Sequence, residues 1–157
     1  MKRFFTLLSV DGSRADQSLL QDAVIRTETP FHIQPLFSSR PVITYLRGDP
    51  PFDNRKIYPF PTLILCDDGL KSRKNDSEIS GKSSDFVARI RAISSSAVFP
   101  IIMLGKSQGH DSVSQCYEAG AGHFLHKPTS SGGLDFLVQA LYACATSAPL
   151  VSTASAQ

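Results

Sequence analysis

Residues 61–70 read PTLILCDDGL and place two adjacent carboxylates directly after an apolar run. The run at 62–66 has the length and composition of a buried strand, and Asp67 and Asp68 follow it at once. Ligands of open α/β sheets bind outside the carboxyl ends of the strands. The two acids are therefore candidates for a binding or reacting group, provided that the rest of the chain forms such a sheet.

Apolar runs alternate with amphipathic stretches along the chain. This alternation predicts an α/β fold, a doubly wound five-stranded parallel sheet flanked by five helices. We expect one domain at residues 1–147 and a disordered tail at 148–157, which lacks periodicity. The predicted strands lie at 4–10, 31–37, 62–66, 98–104 and 122–126, and the predicted helices at 14–26, 39–48, 84–93, 111–121 and 134–145.

The composition narrows the class of protein. The 157-residue chain is 41% apolar and 19% charged, and it has a net charge of +2 without a basic block. These values are typical of a soluble single domain and give no reason to expect nucleic acid or a membrane as a partner. Lys2 and Arg3 before the first apolar run imitate a signal peptide, but Asp11 ends that run and no small-residue cleavage site follows.

The three cysteines, Cys66, Cys116 and Cys144, are an odd number without metal-type spacing. Each lies within a predicted strand or helix, in an apolar setting. We interpret them as reduced core or helix residues of a cytoplasmic protein, with a redox role as the less favoured alternative.

Charged or polar residues that can bind a ligand or take part in a reaction follow the other predicted strands as well. Asp11 follows the first strand, the turn 105–107 follows the fourth, and Lys127 follows the fifth. In a doubly wound sheet these positions converge on Asp67. Carboxylates beside one ammonium suit a divalent cation together with an anion, because Mg²⁺ prefers oxygen ligands and lysine neutralises phosphate. Asp67 can then act as a nucleophile that forms an aspartyl phosphate.

A family resemblance rests on four stretches: LLSVDGSRADQSLLQDAV (7–24), YPFPTLILCDD (58–68), FPIIML (99–104) and YEAGAGHFLHKP (117–128). On these motifs the sequence resembles the CheY-like receiver domain of bacterial two-component response regulators. The segment 45–65 further resembles stand-alone receivers with a long connector before the third strand. The resemblance implies the receiver type of the flavodoxin-like fold.

The resemblance also implies roles for the residues at the strand ends. Asp67 takes the position of the phosphoacceptor, and Lys127 takes the position of the lysine that contacts the phosphoryl group. Asp11, Asp67 and the main-chain carbonyl of Gly69 take the positions that hold Mg²⁺.

A switch and a proline are implied in the same way. Phe124 occupies the place of the aromatic switch residue, and Gly105 occupies the place of the Ser or Thr that couples the phosphoryl group to the switch. Pro128 corresponds to a proline associated with a cis peptide bond, which would aim Lys127 inward.

Three departures from the family pattern indicate an atypical receiver with a degenerate phosphorylation site. The second metal-binding acid is replaced by Gly12, and the hydroxyl residue by Gly105. The loop after Asp67 is longer and lacks the usual proline. We therefore expect a weakened Mg²⁺ site, since one carboxylate is lost.

Residues near these departures have two interpretations each. Asp68 is either a solvated loop acid or a replacement for the charge missing at Gly12. Lys106 is either a surface lysine or a cation in the emptied hydroxyl position, and Ser107 is a candidate to replace the hydroxyl. The Ser-rich stretch 71–84 is either a solvated loop or a docking surface.

The resemblance implies a single-domain receiver in two-component signal transduction and phosphorelay, and not an enzyme. Its implied partners are a sensor histidine kinase or phosphotransfer protein and a downstream protein. The downstream protein would bind the face of the fourth helix, fifth strand and fifth helix, residues 109–146, and a homodimer through that face is also compatible.

Two alternatives from other classes stay open. A pseudo-receiver would be a binding module that no longer depends on phosphate, as the changes at Gly12 and Gly105 favour. A flavodoxin-like cofactor binder is disfavoured, because no phosphate-cradling turn follows the first strand beyond DGS.

Overall fold

The computed structural model describes residues 4–70, 83–93, 99–105 and 110–147, with the side chains of 110–112 excepted. The expectations for the tail 148–157, for Lys106 and Ser107, and for all but the last residues of the stretch 71–84 lie outside these ranges.

Five parallel strands form one sheet in the order β2-β1-β3-β4-β5, and helices cover both of its faces. The predicted doubly wound fold is confirmed. The strands are β1 Phe5–Val10, β2 Phe31–Leu36, β3 Leu63–Asp67, β4 Ile101–Gly105 and β5 His123–His126. The helices are α1 Arg14–Arg26, α2 Ser39–Arg47, α3 Ser83–Ile93, α4 His110–Ala119 and α5 Ser131–Ser147.

Alternate residues of the central strands face two separate hydrophobic clusters. In β3, Ile64 and Cys66 pack with α2, α3 and α4, whereas Leu63 and Leu65 pack with α1 and α5. All four are buried. A central parallel strand is apolar on both faces, which is why this part of the sequence is an uninterrupted apolar run.

The helix boundaries agree with the predicted ones to within three residues. Ser38 is at the N-cap position of α2, and Ser39 is its first helical residue and is buried. Helix α5 begins at Ser131, three residues before the predicted start. Its first three residues include two glycines, which have a low helix propensity, and no apolar residue that would mark a helix start in the sequence. Ser130 accepts hydrogen bonds from the N–H groups of Gly133 and Leu134, and these bonds start the helix.

The connector between α2 and β3 packs against the core. Gly48 ends α2 with a φ of 71°, a left-handed conformation that glycine adopts readily. The Tyr45 hydroxyl donates to the Pro59 carbonyl at 2.6 Å, and the rings of Phe52 and Tyr58 pack on the Tyr45 ring. These contacts fix the entry of β3, the strand that ends at Asp67.

Among the described helices, none combines the length and the apolar character needed to cross a bilayer.

Candidate functional site

The topology brings Asp11, Asp67 and Lys127 to one end of the sheet. Val10 pairs with Cys66 across β1 and β3, so the next residue on each strand, Asp11 and Asp67, lies at neighbouring strand ends. Lys127 directly follows β5, and its N–H donates to the Gly105 carbonyl at 3.1 Å. Its long side chain crosses the end of β4 to reach the two acids.

The Lys127 ammonium is shared by three carboxylates. Its Nζ lies 2.9 Å from Asp11 Oδ2, 3.1 Å from Asp67 Oδ1 and 2.8 Å from Asp16 Oδ2. The Lys127, Asp11 and Asp67 side chains are 14–17% exposed, whereas that of Asp16 is 41% exposed. Asp16 therefore forms the solvent side of the group.

Asp16 is the member of this group that the sequence reasoning missed. The Asp16 N–H donates to the Ser13 hydroxyl, the N-cap of α1, and the Ser13 N–H donates to the Asp11 carboxylate. These hydrogen bonds direct both acids toward Lys127. The signal in the sequence was a serine followed three residues later by an acid, which is typical of a helix start.

Burial and charge shift the pKa values within the group. Burial raises the pKa of Asp67 above its usual value, although the hydrogen bond from Lys127 opposes this and the charge of Asp11 adds to it. For Lys127, burial disfavours the charged form, but hydrogen bonds to Asp16, Asp11 and Asp67 outweigh it and raise the pKa above that of a free lysine. The ammonium is therefore charged at physiological pH.

The backbone after β3 supports the Asp67 carboxylate. The Gly69 N–H forms a hydrogen bond to it. A Cβ atom at residue 69 would lie 3.0 Å from Asp67 Oδ2, so glycine permits the close approach. The metal-ligand role predicted for the Gly69 carbonyl stays a prediction.

Asp68 belongs to a different contact. The Ser83 hydroxyl at the start of α3 donates to both the carboxylate and the carbonyl of Asp68. Asp68 is half-buried and hydrogen-bonded, so it is not the solvated loop acid of the first interpretation. In the described part of the chain, Lys127 forms its ion pairs with Asp11, Asp16 and Asp67 and not with Asp68.

The two predicted switch positions are in contact. Gly105 ends β4 without a side chain, and the ring of half-buried Phe124 occupies the space beside it. No hydroxyl is present at residue 105.

The prediction of a cis peptide bond before Pro128 is wrong. Among the described residues, the cis peptide bond lies between Pro50 and Pro51. The hydrogen bond from the Lys127 N–H to Gly105 keeps the chain in line with β5 up to the proline, so a trans peptide suffices to aim the Lys127 side chain at the acids.

Asp11 and Asp67 supply carboxylate oxygens at the strand ends, the kind of ligand that a divalent cation such as Mg²⁺ prefers. The Lys127 ammonium acts as a stand-in cation and shows that Asp11 and Asp67 can share one positive charge. Across the described residues, no group of three or more His, Cys, Asp or Glu is arranged to hold a metal ion. A Mg²⁺ ion would therefore rely on these two carboxylates and complete its shell with water and phosphate.

A cavity of about 450 Å³ opens beside the carboxylates, between α1 and α5. Its lining includes Asp67 and Lys127 together with buried leucines such as Leu65 and Leu104. This volume lies within the range of small-molecule sites, and Asp67 is one of the residues that line it.

Comparisons with known proteins establish the fold. No protein-family model and no curated protein matches the sequence. The chain is similar to the response regulator RPA3017 in red light signalling of R. palustris, at 18% identity and a TM-score of 0.73, covering 88% of this chain and 92% of that one. It is also similar to the phosphorylated cyanobacterial phytochrome response regulator RcpA, at 21% identity and a TM-score of 0.71, covering 88% of this chain and 91% of that one.

A third similar structure is the Mn²⁺-bound form of the response regulator Rcp1, at 23% identity and a TM-score of 0.69, covering 87% of this chain and 91% of that one. At such identities the likeness shows the fold alone. The chain has the CheY-like receiver fold of response regulators.

Proposed function

We propose that this chain is a single-domain receiver of two-component-type signalling in which Asp67 accepts a phosphoryl group. The observation that carries the proposal is the Lys127 ammonium held between Asp67 and Asp11 at the ends of three strands. One similar chain is a phosphorylated response regulator and another binds Mn²⁺, which supports a site of this kind on this fold.

In the proposed reaction, an Asp67 carboxylate oxygen attacks the phosphorus atom of a phosphodonor. A new O–P bond forms, and the bond from phosphorus to the donor atom breaks, so that the donor leaves with that electron pair. Lys127 contacts the transferred oxygens and neutralises their charge. A Mg²⁺ ion bound at Asp11 and Asp67 would neutralise further negative charge on these oxygens. Its binding would be weakened, because Gly12 provides no carboxylate.

The proposed donors are a sensor histidine kinase, a phosphotransfer protein or a small acyl phosphate. The proposed output is binding of a downstream protein, or of a second copy, to the face formed by α4, β5 and α5. A cytoplasmic location is part of the proposal, because Cys66, Cys116 and Cys144 are all free thiols.

Intact mass after incubation with acetyl phosphate and Mg²⁺ tests the phosphoacceptor. We expect an alkali-labile adduct with the mass of one phosphoryl group, which Asp67→Asn abolishes. Asp68→Asn is the matched control, because it removes the same charge from the adjacent residue, and it should retain the adduct. An adduct that persists in Asp67→Asn, or no adduct on the folded natural chain, would refute the assignment.

The second candidate function is a phosphate-independent binding module. The observation that favours it is Gly105, which offers no hydroxyl to a phosphoryl group on Asp67. The experiment above separates the two candidates, since a folded chain without an adduct would leave protein binding as the remaining function.

A further inference from the structure

The carboxylates of the two predicted metal ligands already accept hydrogen bonds from the chain. Asp11 Oδ2 and Asp67 Oδ1 lie 2.9 and 3.1 Å from the Lys127 ammonium. Asp11 Oδ1 accepts the Ser13 N–H at 2.9 Å. The Gly69 N–H donates to the Asp67 carboxylate. A divalent cation that binds both acids therefore competes with the ammonium for the same oxygens, because two cations repel each other at such distances.

Asp16 is the third acid on the ammonium, and it differs from the other two. Its Oδ2 lies 2.8 Å from the Lys127 Nζ, and its side chain is 41% exposed. In the part of the chain that the structure describes, no three acids are grouped so that they could hold a metal ion. Asp16 is therefore a partner of Lys127 and not a third metal ligand. It can keep its contact with the ammonium while the other two acids bind a metal ion.

The place of Asp16 is set by its neighbour Gln17, which is buried. The Gln17 amide nitrogen donates to the carbonyls of Ser9, Asp11 and Leu36 at 2.9–3.2 Å, and its amide oxygen accepts the Ser9 hydroxyl at 2.7 Å. These hydrogen bonds attach the first turn of α1 to the ends of β1 and β2. The backbone of Asp16 is therefore fixed beside the strand ends, although its carboxylate is partly exposed.

We propose that Asp16 is a positioning residue, which retains the Lys127 ammonium when the two metal-binding acids take up a divalent cation. The inference deepens the proposed function and rests on it for the premise that Asp11 and Asp67 bind Mg²⁺. Without Asp16, a metal ion would leave the ammonium, 15% exposed, with no carboxylate partner among the described residues, and such a charge is costly to bury. Asp16 thus compensates for the acid missing at Gly12 through the lysine and not through the metal.

Mn²⁺ binding to the full chain tests the role of Asp16, with the free ion measured by electron paramagnetic resonance. We expect Asp16→Asn to weaken binding by about threefold to tenfold, which corresponds to the loss of one partly exposed ion pair. Asp22→Asn is the matched control, because it removes the same charge from the same helix. At about 0.5 M salt, where exposed charges are screened beyond a few ångströms, it should weaken binding by less than about twofold.

A second background shows whether Asp16 acts through the lysine. Lys127→Met removes the competing ammonium, so we expect it to bind Mn²⁺ more tightly than the natural chain. In Lys127→Met, the further change Asp16→Asn should alter the dissociation constant by less than about twofold, because no ammonium is left to retain. Circular dichroism verifies the fold of each variant, and Lys127→Gln replaces the methionine variant if that one does not fold.

Several results would overturn the proposal. An equal loss from Asp16→Asn in both backgrounds would mean that Asp16 attracts the ion directly. A loss no greater than that of Asp22→Asn, or no Mn²⁺ binding to any of these chains, would also contradict it. The phosphoacceptor is decided separately by intact mass. A missing adduct with the expected Mn²⁺ affinities would remove the proposed reaction alone, and an adduct without these differences would remove the role of Asp16 alone.

Discussion

At the scale of single residues, Lys127 controls the charge balance of the site. Its ammonium is the partner of three carboxylates, Asp11, Asp16 and Asp67, which exceed it by two negative charges when all are ionised. Because the three acids share one partner, the loss of one of them should be partly compensated by the others. The individual contacts are therefore expected to contribute unequally, according to how far each acid is removed from solvent.

Asp16→Asn should have a small and salt-dependent effect on stability. Asp16 is the most exposed of the three acids, so we expect the free energy of unfolding to fall by less than about 1 kcal/mol at low ionic strength. The difference should shrink in about 1 M salt, where charges are screened beyond about 3 Å. Urea unfolding at two salt concentrations measures it. Asp22→Asn, an equal change of charge further along α1, is the control, and an equal loss there would contradict a specific contact with Lys127.

The pH dependence of Asp67→Asn follows from the raised pKa of Asp67. Burial raises that pKa above 3.8, so between 3.8 and the folded value the folded chain binds more protons at this group than the unfolded chain. The group therefore contributes stability at low pH that is lost as the pH rises through this window. The stability of the natural chain relative to Asp67→Asn should fall as the pH increases from about 3 to about 7.

Asp135→Asn provides a control of opposite sign. The hydrogen bond from Arg26 lowers the pKa of Asp135, so its contribution to stability is present above the ordinary pKa and is lost as the pH falls. Chemical unfolding across the pH range should give slopes of opposite sign for the two variants. Parallel slopes would mean that Asp67 is not desolvated in the folded chain.

The sequence predicted that Asp11, Asp67 and Lys127 lie together, because strand-end residues of a parallel sheet meet at one edge. It could not place Asp16, since the rotation of α1 above the strands depends on packing of the whole helix. Phe124 was assigned to a strand, but the direction of its ring depends on the space beside Gly105, a property of two strands together. The cis bond at Pro128 was carried over from the family and not read from local chemistry.

At the scale of elements, the connector 49–62 shows why a sequence without regular periodicity need not be a loose loop. Arg55 donates to the Leu46 carbonyl and lies over the rings of Tyr45 and Phe60. The aromatic residues of the connector therefore pack on α2 and the core, a contact that binary patterning does not reveal. This packing fixes the position of β3, the strand that ends at Asp67, relative to Asp11 and Asp16.

Tyr45→Phe should weaken this connector. The Tyr45 side chain is fully buried, and burial raises the pKa of its hydroxyl to about 12. Loss of the hydroxyl leaves the Pro59 carbonyl without its donor, so we expect the free energy of unfolding to fall by about 1–2 kcal/mol. Tyr142→Phe, at a partly exposed tyrosine, should change it by less than about 0.5 kcal/mol. Equal effects in denaturant titrations would argue against a specific role of the Tyr45 hydroxyl.

At the scale of the whole molecule, the sheet divides the interior into two hydrophobic clusters. Each cluster contains or borders at least one cysteine, so the reactivity of the thiols measures how closed each cluster is. Cys66 and Cys116 lie in the cluster beneath α2, α3 and α4, whereas Cys144 borders the cluster beneath α1 and α5 and is half-buried. Burial raises the pKa of all three thiols, with the Asp67 charge adding to the effect at Cys66. Because the thiolate is the reactive form, all three should react more slowly than an exposed cysteine.

A disulfide reagent should therefore distinguish the three thiols under native conditions. We expect Cys144 to react first, and Cys66 and Cys116 to react only when the fold opens, a population on the order of 10⁻³ or less for a domain of ordinary stability. Mass mapping of labelled peptides over time gives the three rates, and in denaturant they should become similar. Since Cys66 is the neighbour of Asp67, rapid native labelling of Cys66 would contradict the closed packing at the end of β3 on which the geometry of the site depends.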